Sequence, residues 1–201
     1  MKDEVSQVER IRELEQFAHE RGLLYRSDTP PDGSFFACVY SPDWPDPSYR
    51  YAFARCWRAS GPLILWVGLN PAKGDTEKRR RPTLERCVRW SQERGAAGLL
   101  IGNLFAARHN KPKGLSETGD PIGEHNDDAL RVMTSMAVQT VVAWGNDGQR
   151  HGRAQQVAGV LRDPVCFGRT STGQPRHPLY VRHDTPLEPW SPRGRRTSVC
   201  S

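Results

Sequence analysis

Residues 63–75 read LILWVGLNPAKGD. The opening run is apolar without alternation, and it stops at a Gly-Leu-Asn-Pro turn. A short apolar run bounded by turn residues describes a strand buried on both faces, the kind that parallel sheets use. Open α/β sheets build their sites where such strands end in polar loops. The same grammar recurs in AGLLIGNLFAAR (97–108) and TVVAWGNDGQRHGR (140–153), and GQPRHPLY follows at 173–180. The tips carry Asn70, Asn103, Asn146 and His177 together with several backbone amides. They suit a polar, nucleobase-like ligand better than a metal or a dinucleotide.

Working outward, residues 82–94 read as a helix with Pro82 in its first turn and Gly95 as its stop. Leu84, Cys87, Val88 and Trp90 fall on its inner side. Further helices are expected around 124–137 and over 149–161, and PVCFG (164–168) reads as a fourth short strand. Upstream, FFACVY (35–40) and YRYAFARCW (49–57) read as an antiparallel pair leading into the main sheet. This order predicts an α/β fold, a three-layer sandwich with a central, mostly parallel sheet. Val5, Val8, Ile11, Leu14, Phe17 and Ala18 give an amphipathic N-terminal helix that Gly22 stops. The expected organisation is therefore a helical segment over 1–24, one α/β domain over 25–190 and a basic, disordered tail over 191–201.

The chain has 201 residues, enough for one sizeable core, and a net charge of +6. The excess is clustered at 78–81, 150–153 and 193–196, which favours nucleic acid or a nucleotide as partner. Five cysteines, an odd number with no C-x-x-C spacing, argue against a disulfide framework or an iron–sulfur site. Together with a charged N-terminus lacking an apolar signal core, they predict a cytoplasmic protein. No apolar run approaches the roughly twenty residues that cross a bilayer. The histidines lack H-x-x-x-H spacing, so neither a metal nor another cofactor is expected.

Each tip has its chemistry. Asn70 can donate and accept, so it can orient a water, or it can bond its own backbone as turn asparagines do. Asn103 ends a buried strand, where an unpaired amide is costly, so it faces either backbone or ligand. Phe105 is placed to stack on a planar ring or to join the core. Gly145 and Asn146 sit at a strand-to-helix junction whose amides favour anions, with Arg150 and Arg153 beside them. Asn146 or Asp147 also suits a helix cap there. His177, between Arg176 and Pro178, can donate to a developing anion or act as acid or base.

From about Tyr51 to Trp190 the chain resembles a bacterial and phage family known as domain of unknown function 1643. The segments that carry this resemblance are WVGLNPAKGD, RPTLERCVRW, GLLIGNLFAAR, VVAWGNDGQ and GQPRHPLY. More distantly, the order of segments resembles the uracil-DNA glycosylase superfamily. Gly68-Leu69-Asn70-Pro71 is similar to its Gly-x-Asp/Asn-Pro motif, Ala143 to Gln149 to its L-W-G-x-x-x-Q motif, and His177-Pro178 to its late His-Pro motif.

That resemblance implies that Asn70 positions the attacking water, Asn103 reads the base edge and His177 stabilises the leaving base. The site would then comprise Asn70 and His177 as catalytic residues and Asn103 and Phe105 at the base. Gly145, Asn146, Arg150 and Arg176 would hold an anion. The chain departs from the pattern in having Asn rather than Asp at 70, Leu179 where a serine usually follows His-Pro, and none of the iron–sulfur cysteines of some members. The function implied is nucleobase or nucleic-acid handling, with hydrolysis of N-glycosidic bonds on a damaged or modified base as its sharpest form. A non-catalytic binding module and an enzyme acting on small phosphorylated metabolites are the alternatives.

Overall fold

The computed structural model describes residues 7–73, 81–110 and 112–192. Of the expected tail at 191–201, residues 193–201 lie outside the described residues, as do the basic residues 78–80. One eight-stranded sheet organises the rest. In chain order its strands are β1 (Leu24–Asp28), β2 (Phe35–Tyr40), β3 (Arg50–Cys56), β4 (Leu63–Gly68), β5 (Gly98–Asn103), β6 (Gln139–Val142), β7 (Val165–Cys166) and β8 (Glu188–Pro189). Four helices accompany them: α1 (Gln7–Glu20), α2 (Pro82–Glu93), α3 (Asn126–Met136) and α4 (Arg153–Ala158). Across the sheet the strand order is β1-β2-β3-β5-β4-β6-β7-β8.

The mostly parallel sheet expected from the sequence is corrected here. Four of the seven pairings are antiparallel and three are parallel. The connections explain the split. From β4 to β7 each link contains a helix, and a helical crossover returns the chain in the same direction. Before β4 the links are short loops, and these reverse it. β1 and β8 lack an alternating apolar signal, and no local pattern announces them.

The buried faces follow the strand period of two. Leu63, Leu65 and Val67 of β4 point to the layer formed by α1, α3 and α4, while Ile64 and Trp66 point to α2. Ile11, Leu14, Phe17 and Ala18 of α1 join the first of these clusters, so the N-terminal helix packs into the domain's own core. Beneath α2, Trp66, Trp90 and Phe167 meet with ring centroids 5.2–5.8 Å apart. Such ring pairs add about 0.5–1.5 kcal/mol each beyond their buried area.

The helix expected over 149–161 is shorter than its pattern suggests. His151 (φ 53°) and Gly152 (φ 65°) both adopt left-handed backbone, so a 3₁₀ turn over 146–152 precedes α4 instead. β5 lies on one side of β4 and β6 on the other. The loops leaving β4 and β6 therefore diverge, and the crevice between them lies at the carboxyl edge of the sheet. Doubly wound sheets place their ligands at such a switch point.

Candidate functional site

A cleft of about 1020 Å³ fills that crevice. Its wall includes Asn70, Asn103 and His177, so the structure brings these three predicted residues together. Gly145, Asn146 and Arg176 line it too. Phe105 and Arg150 do not. Phe105 is fully buried in the core, where no ligand can stack on it. Arg150 turns away, with its Nε donating to Asp147 Oδ1 at 2.7 Å and Nη1 to Ser116 Oγ at 2.8 Å. Arg153, the other member of that basic cluster, is 1% exposed and donates to the Leu104 carbonyl while pairing with Asp127.

Asn70 is tied down. Its Nδ2 donates to the carbonyls of Pro71 (3.0 Å) and His109 (2.8 Å), clamping the loop after β4 to the loop after β5. Both amide hydrogens are used, and what Asn70 has left to offer is its Oδ1 acceptor. Asn103 is the opposite case. It is only 4% exposed, yet its buried Nδ2 has no hydrogen-bond partner. Leaving a buried donor unmade costs about 1–3 kcal/mol, so a group of this kind at a cleft wall marks a place for a ligand acceptor. A Cβ on Gly68 would come within 3.0 Å of Asn103 Oδ1. Gly68 thus makes room for this side chain.

Two residues without a sequence signal of their own hold the arrangement. Asn126, fully buried at the start of α3, donates from Nδ2 to the carbonyls of Asn103 (3.1 Å) and Leu104 (3.0 Å). It fixes the end of β5. Gln174 accepts from Trp144 Nε1 at 2.9 Å, while Gly145 N donates to the Pro175 carbonyl at 2.9 Å. These bonds bring the 174–177 segment to the end of β6 and so deliver His177. Neither polar residue stands in a pattern that separates it from an ordinary loop residue.

His177 accepts a hydrogen bond at Nδ1 from Leu179 N (3.3 Å), and burial holds its imidazole below its usual pKa. Both facts describe a neutral ring whose proton sits on Nε2, a donor. The wall is otherwise basic. Arg50, Lys73, Arg81 and Arg176 contribute cations, against one carboxylate among the described lining residues, Asp147, which is paired to Arg150. Lys73 also has Asp46 within 3.5 Å at the exposed rim.

Arg50 owes its position to a bulge. Val39 pairs with Ala52 but Tyr40 pairs with Arg50, so Tyr51 is skipped. The extra residue turns Arg50 onto the face of Phe53, whose ring its guanidinium approaches at 5.6 Å. Arg50 is 8% exposed and was not legible as a site residue, because bulges leave no pattern of their own.

Residues 50–179 match the family described as "Protein of unknown function (DUF1643)". The chain belongs to that family. The matched span runs from the bulge arginine on β3 to the residue after His177-Pro178, and so contains nearly the whole cleft wall. No curated protein and no solved structure matches the chain. Among the described residues no helix is long and apolar enough to cross a membrane.

Proposed function

We propose that the cleft receives a nucleobase carried on a nucleotide or nucleic-acid strand, and that the protein hydrolyses the N-glycosidic bond of a damaged or modified base. The observation that carries this reading is the unpartnered Nδ2 of Asn103, buried in the wall of a cleft shared with Asn70 and His177. A donor at Asn103, a second donor at His177 Nε2 and an acceptor at Asn70 Oδ1 suit the polar edge of a base and a nearby water. The resemblance of these segments to the uracil-DNA glycosylase superfamily points the same way. The switch-point position of the cleft is compatible with it.

The chemistry is consistent. Glycosidic cleavage develops positive charge on the sugar and negative charge on the departing base. A neutral His177 donating from Nε2 stabilises that anion, and one such donor is worth about 10²–10³ in rate. Asn70 Oδ1 holds a water that adds to the sugar carbon, and because an amide cannot take its proton, that proton passes to the departing base anion. The target base must first leave its stack.

Incubation with oligonucleotides containing uracil, hypoxanthine or hypermodified pyrimidines, followed by cleavage at abasic sites, is the test. Base release from any of them supports the hydrolase, and release that survives His177→Ala undiminished removes the site assigned to it. A non-catalytic binding module is the second reading. The observation in its favour is that Asn70 stands where a carboxylate base is needed, and both its amide hydrogens are committed to backbone. Binding of modified bases without release would select that reading.

A further inference from the structure

We infer that the α2-side face of β1–β3 is a second binding surface, continuous with the cleft, that carries a single nucleic-acid strand. The inference rests on the proposed function for its choice of ligand and goes beyond it in assigning a surface outside the cleft. The geometry begins at the cleft wall, which includes Ile101 and Phe53. Ile101, Phe53, Cys38 and Arg26 form one cross-strand row leading away from it. Beside it runs the row Leu99, Arg55, Phe36, Asp28.

On the opposite face Ala37, Val39, Ala52 and Ala54 are buried with the residues of α1. Here Phe36 and Cys38 are only half-buried. Arginines interleave with rings: Arg55 lies 4.9 Å from the Phe36 centroid, and Arg26 lies 4.2 Å from that of Trp44. Trp44 is 45% exposed, so its ring is open to stacking by an incoming base.

Arginine planes and aromatic faces set along a groove are how proteins hold single strands, the rings stacking on bases and the cations tracking phosphates. Charge complementarity selects this occupant. The cleft wall is basic, and Arg50, Arg55 and Arg26 continue that charge outward until Asp28 and Asp32 end it. Asp32 lies within electrostatic reach of Arg55, which helps hold its carboxyl below the usual range after its bonds from Ser34. The size of the cleft fits a strand as well. A volume of about 1020 Å³ stands at the top of the roughly 300–1,000 Å³ that holds a drug-sized ligand. A free base would leave most of it to water.

The test uses the full chain with thymidine monophosphate, a three-residue and a twelve-residue oligothymidylate, and a twelve-pair duplex, at several salt concentrations. Binding is read by anisotropy and tryptophan quenching. Of the six tryptophans, Trp66, Trp90, Trp144 and Trp190 are at most 4% exposed and Trp57 is half-buried, so Trp44, at 45%, is best placed to report stacking. The twelve-residue strand should bind at least about tenfold more tightly than the three-residue strand, and more tightly than the duplex. Most of its quenching should be lost in Trp44→Phe, with Trp57 the only other tryptophan that is not buried. The double variant Arg26→Ala/Arg55→Ala should weaken the long strand at least about fivefold and leave the short one unchanged. It should also reduce the salt slope of log K by about 1.4, from roughly 0.7 for each lost phosphate contact.

Circular dichroism shows whether each variant is folded, and Trp44→Phe provides a readout that does not depend on the arginines. Equal affinity for all lengths, preference for the duplex, a length dependence unchanged in the double variant, or no binding at low salt would each overturn the inference. Tight binding of the monophosphate without length dependence would do so while leaving the base-binding reading intact. Strand binding that needs Arg26 and Arg55, without base release from any modified oligonucleotide, would instead retain this surface and remove the hydrolase.

Discussion

The two halves of the sheet are built by different rules and make different contributions. On one side β5, β4, β6 and β7 run parallel, joined by helices that cover both faces. On the other side β1, β2 and β3 run antiparallel and are joined by short loops. The parallel half creates the crevice, because only a sheet whose crossovers diverge leaves a gap at its carboxyl edge. The antiparallel half supplies a wall to that crevice through Phe53 and the bulged Arg50. The expected division is that the parallel half carries both the fold and the reacting groups of the cleft, while changes in the antiparallel half alter what the cleft accepts at small cost to the fold.

The sharpest challenge to this division lies at Gly148. A Cβ there would stand 2.0 Å from Trp144 Cδ1, and that ring is held by Gln174 and packed at 4.8 Å against Trp190. Gly148→Ala should cost about 3 kcal/mol through overpacking, lowering the thermal midpoint by roughly 6–12 °C. A midpoint within two degrees of the wild type would mean that the end of β6 is softer than this packing implies.

Next in size is the difference between His177 and Asn70 on a confirmed substrate. His177→Ala should reduce single-turnover base release by about 10²-fold, as for loss of one oxyanion-type donor. Asn70→Ala should reduce it less, because Asn70 contributes no base. It should instead destabilise the protein by about 1 kcal/mol, since its two bonds tie the loops together. Equal losses of activity would shift the chemical burden onto the water.

The two buried asparagines give the third comparison. Asn126→Ala frees two backbone carbonyls and should cost about 2 kcal/mol in urea unfolding. Asn103→Ala removes a donor that already lacks a partner, so stability should be unchanged or slightly higher while ligand affinity falls. A large loss of stability in Asn103→Ala would make that residue structural rather than ligand-facing. In the antiparallel half, Arg50→Met keeps the aliphatic stem and removes the charge. It should weaken anionic ligands about tenfold, or about 1.4 kcal/mol, with a smaller change in thermal midpoint.

The smallest effect is a pH dependence. Burial depresses the folded-state pKa of His177. Acidification below the ordinary histidine range therefore protonates the unfolded chain before the native one, and stability falls as pH drops. Protonation also turns Nδ1 from an acceptor into a donor and breaks its bond from Leu179 N. The wild type should lose more thermal stability than His177→Gln between pH 7.5 and 5.5. Parallel curves for the two proteins would contradict the assignment.

Much of the parallel half was legible in the sequence. Unbroken apolar runs such as LILWVGL can be satisfied only between two layers, so β4, β5 and β6 and the helices after them follow from local pattern. Asn70 and Asn103 were legible too, because polar residues directly after buried runs come to the strand ends, whereas His177 reaches the cleft through the contacts of Gln174 and Pro175. The remainder was not. Phe105 and Arg150 stand near the tips in sequence, and only packing sends the first into the core and the second toward Ser116. β8 is a Glu-Pro pair without apolar pattern, unlike the equally short β7 within PVCFG, and nothing local announces it.

The sequence by itself determined the alternation of buried strands and amphipathic helices, the polar ends of the strands and the basic character of the chain. Hydrophobic periodicity is local, and each residue's neighbours suffice to express it. The strand order, the antiparallel majority and the convergence on one cleft were decided only in the tertiary structure. So were the partnerless amide of Asn103 and the turn of Arg50 toward the cleft. These depend on which groups from distant segments meet, on whether a buried donor finds an acceptor and on where a single extra residue shifts a register, and no local pattern encodes such meetings.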